Sequence, residues 1–229
     1  MTAVPPPDES LQQWFESVWA DREERVYREL FTDLGGGIHP ATAAHYARFK
    51  HDAPHPGFLH HGVFACPPHG DRSHWTYVTS GLSNPWNLQQ PGRDPQGHSG
   101  TGFELVLCTK DRADWAVELL HHLMAWQLLI ATGTIEGQPL GPDQRVPLGG
   151  PMDGTPGCPL TWVMVEAPES EHMPSSFELA SGKVDWLLLV GITEAEVGFA
   201  RMQSQPALLE RLHAAELWPV TDPRRESIE

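Results

Sequence analysis

Residues 114–130 read DWAVELLHHLMAWQLLI and carry the clearest pattern in the chain. Apolar side chains recur there at intervals of three and four residues, as on one face of an α-helix. They are Trp115, Leu119, Leu123, Trp126 and Ile130, and Leu120, Met124 and Leu128 widen the stripe. Asp111 is of the type that caps a helix N-terminus, and Asp114 suits the dipole of the first turn. The pattern predicts a helix lying across a sheet, with Trp115 and Trp126 buried.

Short apolar runs separated by Pro and Gly clusters lie on both sides of this helix, which is typical of strands and turns. The predicted strands are Leu59–Ala65, His74–Ser80, Phe103–Cys108, Leu160–Glu166 and Trp186–Ile192. The last of these is apolar at nearly every position, which indicates a central strand covered on both faces. Trp186 is therefore expected to be buried.

Further helices are indicated by capping signals. Ser10-Leu11-Gln12-Gln13 has the form of a capping box and predicts a helix running towards Leu30. Thr193–Glu196 repeats this pattern after the last strand, and Pro206 suits the start of a closing helix. Residues 41–49 are a further candidate helix.

The order of elements predicts an α+β fold, a single domain with a mixed β-sheet flanked by helices. No Ser/Gly-rich linker or internal repeat divides the 229 residues. We expect residues 1–26 to form an N-terminal helix region and residues 27–229 the main domain, packed together as one compact unit.

The charge balance narrows the class of partner. The chain has 15 Lys and Arg residues against 30 Asp and Glu residues, a formal net charge of −15. A nucleic-acid surface needs clustered basic side chains, and the only adjacent Arg pair is Arg224-Arg225. The acidity excludes nucleic acid as a partner and favours a basic protein instead.

The sequence also indicates a cytoplasmic protein. Its three cysteines are far apart and fit neither a disulfide framework nor paired metal knuckles. Residues 1–8 lack the features of a signal peptide. No segment has the roughly 20 apolar residues that a membrane span requires, so no membrane partner is expected.

No convincing catalytic or metal-binding constellation is present in the sequence. Ser80-Gly81-Leu82-Ser83 lacks the glycines that flank the serine of a nucleophile elbow. The pairs His60-His61 and His121-His122 do not reproduce the spacing that places two imidazoles on one helix face. We therefore predict no catalytic residues, no cofactor and no structural metal.

Three motifs in order carry a resemblance to a known family. They are His74–Ser83 (HWTYVTSGLS), Gly102–Leu105 (GFEL) and Val220–Glu226 (VTDPRRE). Together they resemble the Suppressor of fused domain, and the resemblance runs from roughly Tyr27 to the C-terminus. It implies an α+β domain of about this length that binds a protein or an extended peptide and is not an enzyme. The chain looks like the single-domain form found in bacteria, so the Gli partner of the two-lobed animal member is not carried over.

The resemblance also implies a partner-binding surface. Its candidate residues are Tyr77, Asn84, Trp86, Arg224 and Arg225. For the first three the residues themselves leave core packing and an interface open, and for the Arg pair a structural ion pair is the alternative. Two other functions remain as alternatives, an immunity protein that neutralises a basic bacterial toxin and an unrecognised hydrolase or metal-dependent enzyme. The oligomeric state is not predicted.

Overall fold

A computed structural model describes residues 11–51, 59–85, 97–168 and 173–229. Its helices are α1 (Leu11–Ala20), α2 (Arg28–Phe31), α3 (Ala43–Ala47), α4 (Asp114–Ala131), α5 (Glu194–Met202) and α6 (Gln205–Ala214). A π-helical segment, Asp21–Tyr27, joins α1 to α2. The predicted N-terminal helix is therefore present, while Ser10 of its capping box lies outside the described residues.

The strands form one mixed sheet. They are β1 (Ile38–Pro40), β2 (Gly62–Cys66), β3 (Trp75–Ser80), β4 (His98–Thr109), β5 (Arg145–Pro147), β6 (Leu160–Glu166), β7 (Ser176–Leu179), β8 (Gly182–Thr193) and β9 (Val220–Thr221). The main path runs β1-β2-β3-β4-β8-β6-β5, with β7 paired to β8 and β9 to β4. Strand β4 pairs in parallel with β8 and β9, and the other named pairings are antiparallel. The α+β class and the mixed sheet flanked by helices are thus confirmed.

Strands β4 and β8 are apolar on both faces because helices cover the sheet on both sides. On β8, Leu187 and Leu189 pack in the core under α4, whereas Trp186 and Leu188 belong to the opposite core. That second core is completed by α1, the π-helical segment, α2, α5 and α6. The prediction that Trp186 is buried is confirmed, since its side chain is fully buried.

Helix α4 differs from its prediction in two respects. The residue at its N-cap is Ala113 rather than Asp111. Trp115 and Trp126 are only half-buried, because one flank of α4 is left partly uncovered. The capping box at Thr193 and Glu196 is confirmed, and Pro206 lies in the first turn of α6 as predicted.

The strands that prediction missed are β1, β5, β7 and β9, each of two to four residues. They are too short to show a hydrophobic alternation. Among the described residues, no helix is both long and apolar enough to cross a membrane.

Candidate functional site

Tyr77 connects strand β3 to helix α4. Its ring is fully buried in the core under α4. Its phenolic oxygen accepts a hydrogen bond from the backbone N–H of Ala113 at 2.6 Å, which satisfies one of the free donors at the start of α4. Burial is the largest effect on this phenol and raises the pKa of Tyr77. In this structure Tyr77 therefore supports the fold from inside and does not reach the surface.

A buried carboxylate holds the turn that follows β3. Glu104, on β4, is fully buried and accepts hydrogen bonds from the backbone N–H groups of Gly81 and Ser83, both at 2.9 Å. The hydroxyls of Thr79 and Ser83 also donate to this carboxylate, each at 2.6 Å. A buried charge is tolerated only when it is paired and hydrogen-bonded, and these four bonds supply part of that compensation.

Arg22 supplies the opposite charge from the N-terminal helix. Its guanidinium, fully buried, lies 3.7 Å from the Glu104 carboxylate. It donates to the hydroxyls of Ser80 at 2.9 Å and Ser83 at 3.0 Å, and to the side-chain oxygen of Asn84 at 2.6 Å. The π-helical segment that carries Arg22 is thereby fastened to the turn. We call this set, Arg22, Ser80, Ser83, Asn84 and Glu104, the buried ionic network.

Two glycines let the backbone pass this closely. Gly81 has φ of +138°, and a Cβ there would lie 2.2 Å from the ring of His61. Gly100 has φ of +59°, and a Cβ there would lie 2.3 Å from the carbonyl oxygen of Asn84. Any larger residue would displace the turn, so both positions require glycine.

Asn84 and Trp86 are the other two residues near the end of β3 that were predicted to bind a partner. Asn84 is fully buried within the network, and Trp86 lies outside the described residues. Trp19 is connected to the end of β3 through Glu23, whose carboxylate accepts from both the Trp19 indole N–H and the Ser80 hydroxyl. The ring of Trp19 also contacts Phe15, and we call Phe15, Trp19 and His60, with Leu59 before it in the chain, the Trp19 rim. Trp19 contacts His60 edge to face at 6.4 Å, and Leu59 is exposed.

The adjacent arginines Arg224 and Arg225 have opposite environments. Arg225 is buried and donates to both carboxylate oxygens of Glu196, at 2.5 and 2.6 Å, and to the carbonyl of Gly191 at 2.9 Å. Arg224 is exposed, with ion pairs to Asp222 at 3.3 Å and Asp111 at 3.7 Å. Of the pair, only Arg224 is available to a partner in this structure.

Glu196 is held ionised by this contact. Burial by itself would raise the pKa of its carboxyl, but hydrogen bonds from Arg225 and from the N–H groups of Thr193 and Ile228 outweigh burial. The pKa of Glu196 is consequently lowered. The pair ties the C-terminal motif to the start of α5.

One histidine cluster was not visible from sequence spacing. Contact between α3 and α4 brings ligand atoms of His45, Glu118 and His121 within 4.8 Å of one another. His45 Nδ1 accepts the N–H of Thr42 at 3.0 Å, so its proton sits on Nε2, which faces Glu118 at 3.5 Å. His121 Nε2 donates to the carbonyl of His39 at 2.9 Å.

The ring geometry of this cluster does not fit a metal ion. The imidazoles of His45 and His121 are stacked, with centroids 4.4 Å apart and planes inclined by 21°. Imidazole lone pairs lie in the ring plane, so two nearly parallel rings cannot aim at one ion. Burial lowers the pKa of His121 to about 4, which keeps that ring neutral. The absence of a structural metal stays a prediction, and this cluster gives no reason to change it.

Most of the chain matches one known protein family. The model of the family described as Suppressor of fused protein (SUFU) matches residues 58–226 of the chain. The chain belongs to the SUFU family. The matched range contains Glu104, Glu196 and Arg225, whereas Arg22 precedes it.

Solved structures share the SUFU fold at low sequence identity. A crystal structure of a Sufu–Fu complex superposes with a TM-score of 0.59 at 19% identity, covering 80% of this chain and 88% of that chain. Drosophila Suppressor of fused gives 0.56 at 20% identity, covering 82% of this chain and 50% of that chain. A SUFU homologue from Neisseria gonorrhoeae FA 1090 gives 0.52 at 16% identity, with 94% of both chains covered. The search of curated proteins finds no match.

The family motifs therefore contain residues that make buried structural contacts as well as residues on the surface. The HWTYVTSGLS and GFEL motifs meet in the buried ionic network, and VTDPRRE supplies Arg225 to Glu196. Sequence reasoning missed Arg22, Glu104 and Glu196 as members of these contacts. A charged residue inside an apolar strand, as Glu104 is between Phe103 and Leu105, is the signal that was present.

Proposed function

We propose that this SUFU-family protein is a non-enzymatic, cytoplasmic domain that binds a protein partner. The observation that carries the proposal is the family fold, one example of which was crystallised as a Sufu–Fu complex. The pairing of the buried charged side chains is consistent with a non-enzymatic role. Within the described residues, the buried Arg and Glu side chains pair with one another, Arg22 with Glu104 and Arg225 with Glu196. Such pairs stabilise a scaffold rather than perform proton transfer.

The partner surface that we propose surrounds the end of β3. The buried ionic network holds the turn at residues 81–84, and Glu23 connects the Trp19 rim to Ser80 of this network. Rigid aromatic side chains lose little entropy on binding and are favoured as interface anchors. Tyr77 and Asn84 act in this proposal as supports, and Trp86 follows directly in sequence as a contact residue.

Arg224 extends the proposed contacts to the opposite end of β3. It lies beside Asp111, just after β4, where β3 begins and β4 ends in antiparallel register. Its side chain is 75% exposed, so a partner carboxylate can replace its present ion pairs at little cost. Arg225 supports this segment through Glu196.

The immunity function is a second candidate, and the net charge of −15 is the observation that favours it. An acidic inhibitor is attracted to a basic toxin, and such attraction raises the association rate and weakens with salt. A captured partner with an enzymatic activity that this protein abolishes would support immunity. A captured partner without such activity would support a regulatory or scaffolding role.

Quantitative co-purification tests the binding surface. The tagged chain and its Trp19→Ala and Trp86→Ala variants are expressed in the source cells, and captured proteins are compared by mass spectrometry. Trp162→Ala is the matched control, because Trp162 is also a half-buried indole but lies on β6. We expect a specific partner with the native chain and the control, and about tenfold less with the two variants, the loss of a typical hot spot.

Each variant must keep its fold, as measured by circular dichroism and thermal melting. Folded Trp19 and Trp86 variants that capture the partner at native levels would contradict the proposed surface. If the folded native chain captured no specific partner, that result would contradict the binding function itself.

A further inference from the structure

A trough runs along the uncovered flank of α4. It has a volume of about 490 Å³ and lies between α4, the end of α3 and the segment 146–154. We call it the α4 trough. Its apolar lining consists of Phe49, Trp115, Leu119, Leu123, Trp126, Val146, Leu148 and Met152.

The tryptophans mark the two ends of the trough. Trp115 and Trp126 are eleven residues apart on one helix, a separation of roughly 16 Å along its axis. Between them Leu119 and Leu123 form a floor that is almost fully buried, whereas both indoles remain partly exposed. Partly exposed tryptophans beside a concave apolar surface are typical of an interaction site.

Polar groups on the trough favour a cationic occupant. Glu118 and Asp153 line it, and the Glu118 side chain is 61% exposed. Of the described lining residues, Arg48 is the one that is cationic at neutral pH, and it donates to the carbonyl of Leu148 at 2.9 Å on the opposite wall. Burial, reinforced by Arg48, lowers the pKa of His122, so this ring adds no positive charge at neutral pH. The net charge of the whole chain, −15, acts in the same direction.

We propose that the α4 trough binds apolar side chains from a basic segment of a partner protein. The inference rests on the proposed protein-binding function and names a second contact surface with its chemistry. A cavity of about 490 Å³ holds a few side chains but not a whole helix, which is about 10 Å wide. The partner backbone therefore stays at the mouth, where its Lys or Arg side chains meet Glu118 and Asp153.

The probe is a peptide of about 15 Leu and Lys residues, arranged as an amphipathic helix, and its matched control replaces every Lys by Glu. Each is titrated into the ¹⁵N-labelled full chain, and the indole N–H signals of the tryptophans are followed by NMR. We expect the Leu/Lys peptide to shift the signals of Trp115 and Trp126 at saturable concentrations and to bind at least about tenfold more tightly than the Leu/Glu peptide.

Variants locate the binding on the trough. Trp126→Ala and Asp153→Asn should each weaken the Leu/Lys peptide by about three- to tenfold, whereas the Trp162→Ala control should bind as the native chain does. Asparagine at 153 keeps the acceptor for the Thr155 N–H, so the local turn is retained. Equal binding of the two peptides would overturn the proposal, as would shifts confined to other tryptophans or an unchanged affinity in folded Trp126→Ala.

The peptide experiment needs no natural partner, so its outcome is separate from that of the co-purification. Partner capture that depends on Trp86 but not on Trp126, together with no peptide shift at Trp115 or Trp126, would remove the trough and leave the proposed function standing. Binding of the peptide in the trough, with no captured partner, would remove the proposed function and leave the trough as a surface that binds a basic peptide.

Discussion

Arg224 and Arg225 show how far two neighbouring side chains can differ in role. Arg225 meets Glu196 with both partners buried, whereas 75% of the Arg224 side chain is exposed. Removing one member of a buried pair leaves an uncompensated charge, but an exposed ion pair is screened by water and contributes little. The same residue type in one motif thus stabilises the fold at one position and is available for recognition at the next.

We expect Arg225→Ala to lower the free energy of unfolding by about 3 to 5 kcal/mol. Arg224→Ala should change it by no more than about 0.5 kcal/mol. Urea denaturation followed by circular dichroism measures both values. A loss for Arg225→Ala as small as that for Arg224→Ala would mean that the buried pair is not formed in solution.

The same pair gives the native chain a pH dependence. The pKa of Glu196 is lower in the folded state than in the unfolded state, so its contribution to stability is complete above the unfolded value of about 4.3. That contribution is lost as the pH falls through the lower, folded pKa. In Arg225→Ala the hydrogen bonds from Arg225 no longer oppose burial, so the pKa of Glu196 is higher than in the native chain. This acid-side loss should therefore be smaller in the variant, and the stabilities of the two proteins should converge as the pH falls.

At the scale of the element, β8 and α4 show two degrees of burial. Strand β8 lies in the middle of the sheet with helices over both faces, and Trp186 contacts Tyr27, Phe31 and Phe177 there. Helix α4 covers one face of the sheet but keeps the flank with Trp115 and Trp126 half-open. A continuous apolar stripe is therefore no guarantee of complete burial.

Trp186→Ala should cost about 3 to 5 kcal/mol, the usual range for a large aromatic side chain deleted from a core. Trp126→Ala should cost about 1 to 2 kcal/mol, because its side chain is only partly buried. Thermal and urea unfolding of the two variants provide the comparison. A loss at Trp126 as large as that at Trp186 would show that the α4 trough is closed in solution.

At the scale of the whole molecule, the N-terminal helix and the sheet are joined by buried groups of opposite charge. Trp14 and Val18 of α1 belong to the same core as β8, and Arg22 binds the turn after β3. Because these contacts are fully buried, the helix cannot leave the sheet without exposing apolar surface and separating charges. The N-terminal helix region and the main domain are thus proposed to unfold together.

We predict one cooperative thermal transition, with coincident curves from far-ultraviolet circular dichroism and tryptophan fluorescence. Arg22→Met should lower the stability by about 3 to 5 kcal/mol, since it leaves Glu104 buried without its counter-charge. Arg28→Met is the control, because the ion pair of Arg28 with Glu24 is exposed on both sides. Two separate transitions in the native chain would show that the N-terminal helix is an independent unit.

The long elements were predictable from sequence because their signal is local. The periodicity of α4, the apolar run of β8 and the capping box before α5 each depend on residues that are neighbours in the chain. The short strands were not predictable, since β1 and β5 are held by pairing with β2 and β6 rather than by a pattern of their own.

For the candidate site, sequence by itself placed Tyr77 and the Arg pair in ordered motifs that resemble the SUFU family, with Asn84 directly after the first motif. Only the tertiary structure decided which of them face water. Tyr77 and Asn84 lie inside while Arg224 lies outside, because burial depends on which elements cover a residue, and those elements are distant in sequence. Arg22 is the clearest case, since it binds Ser83 across 61 positions of the chain. No local pattern encodes such a contact, which forms only when the helix docks on the sheet.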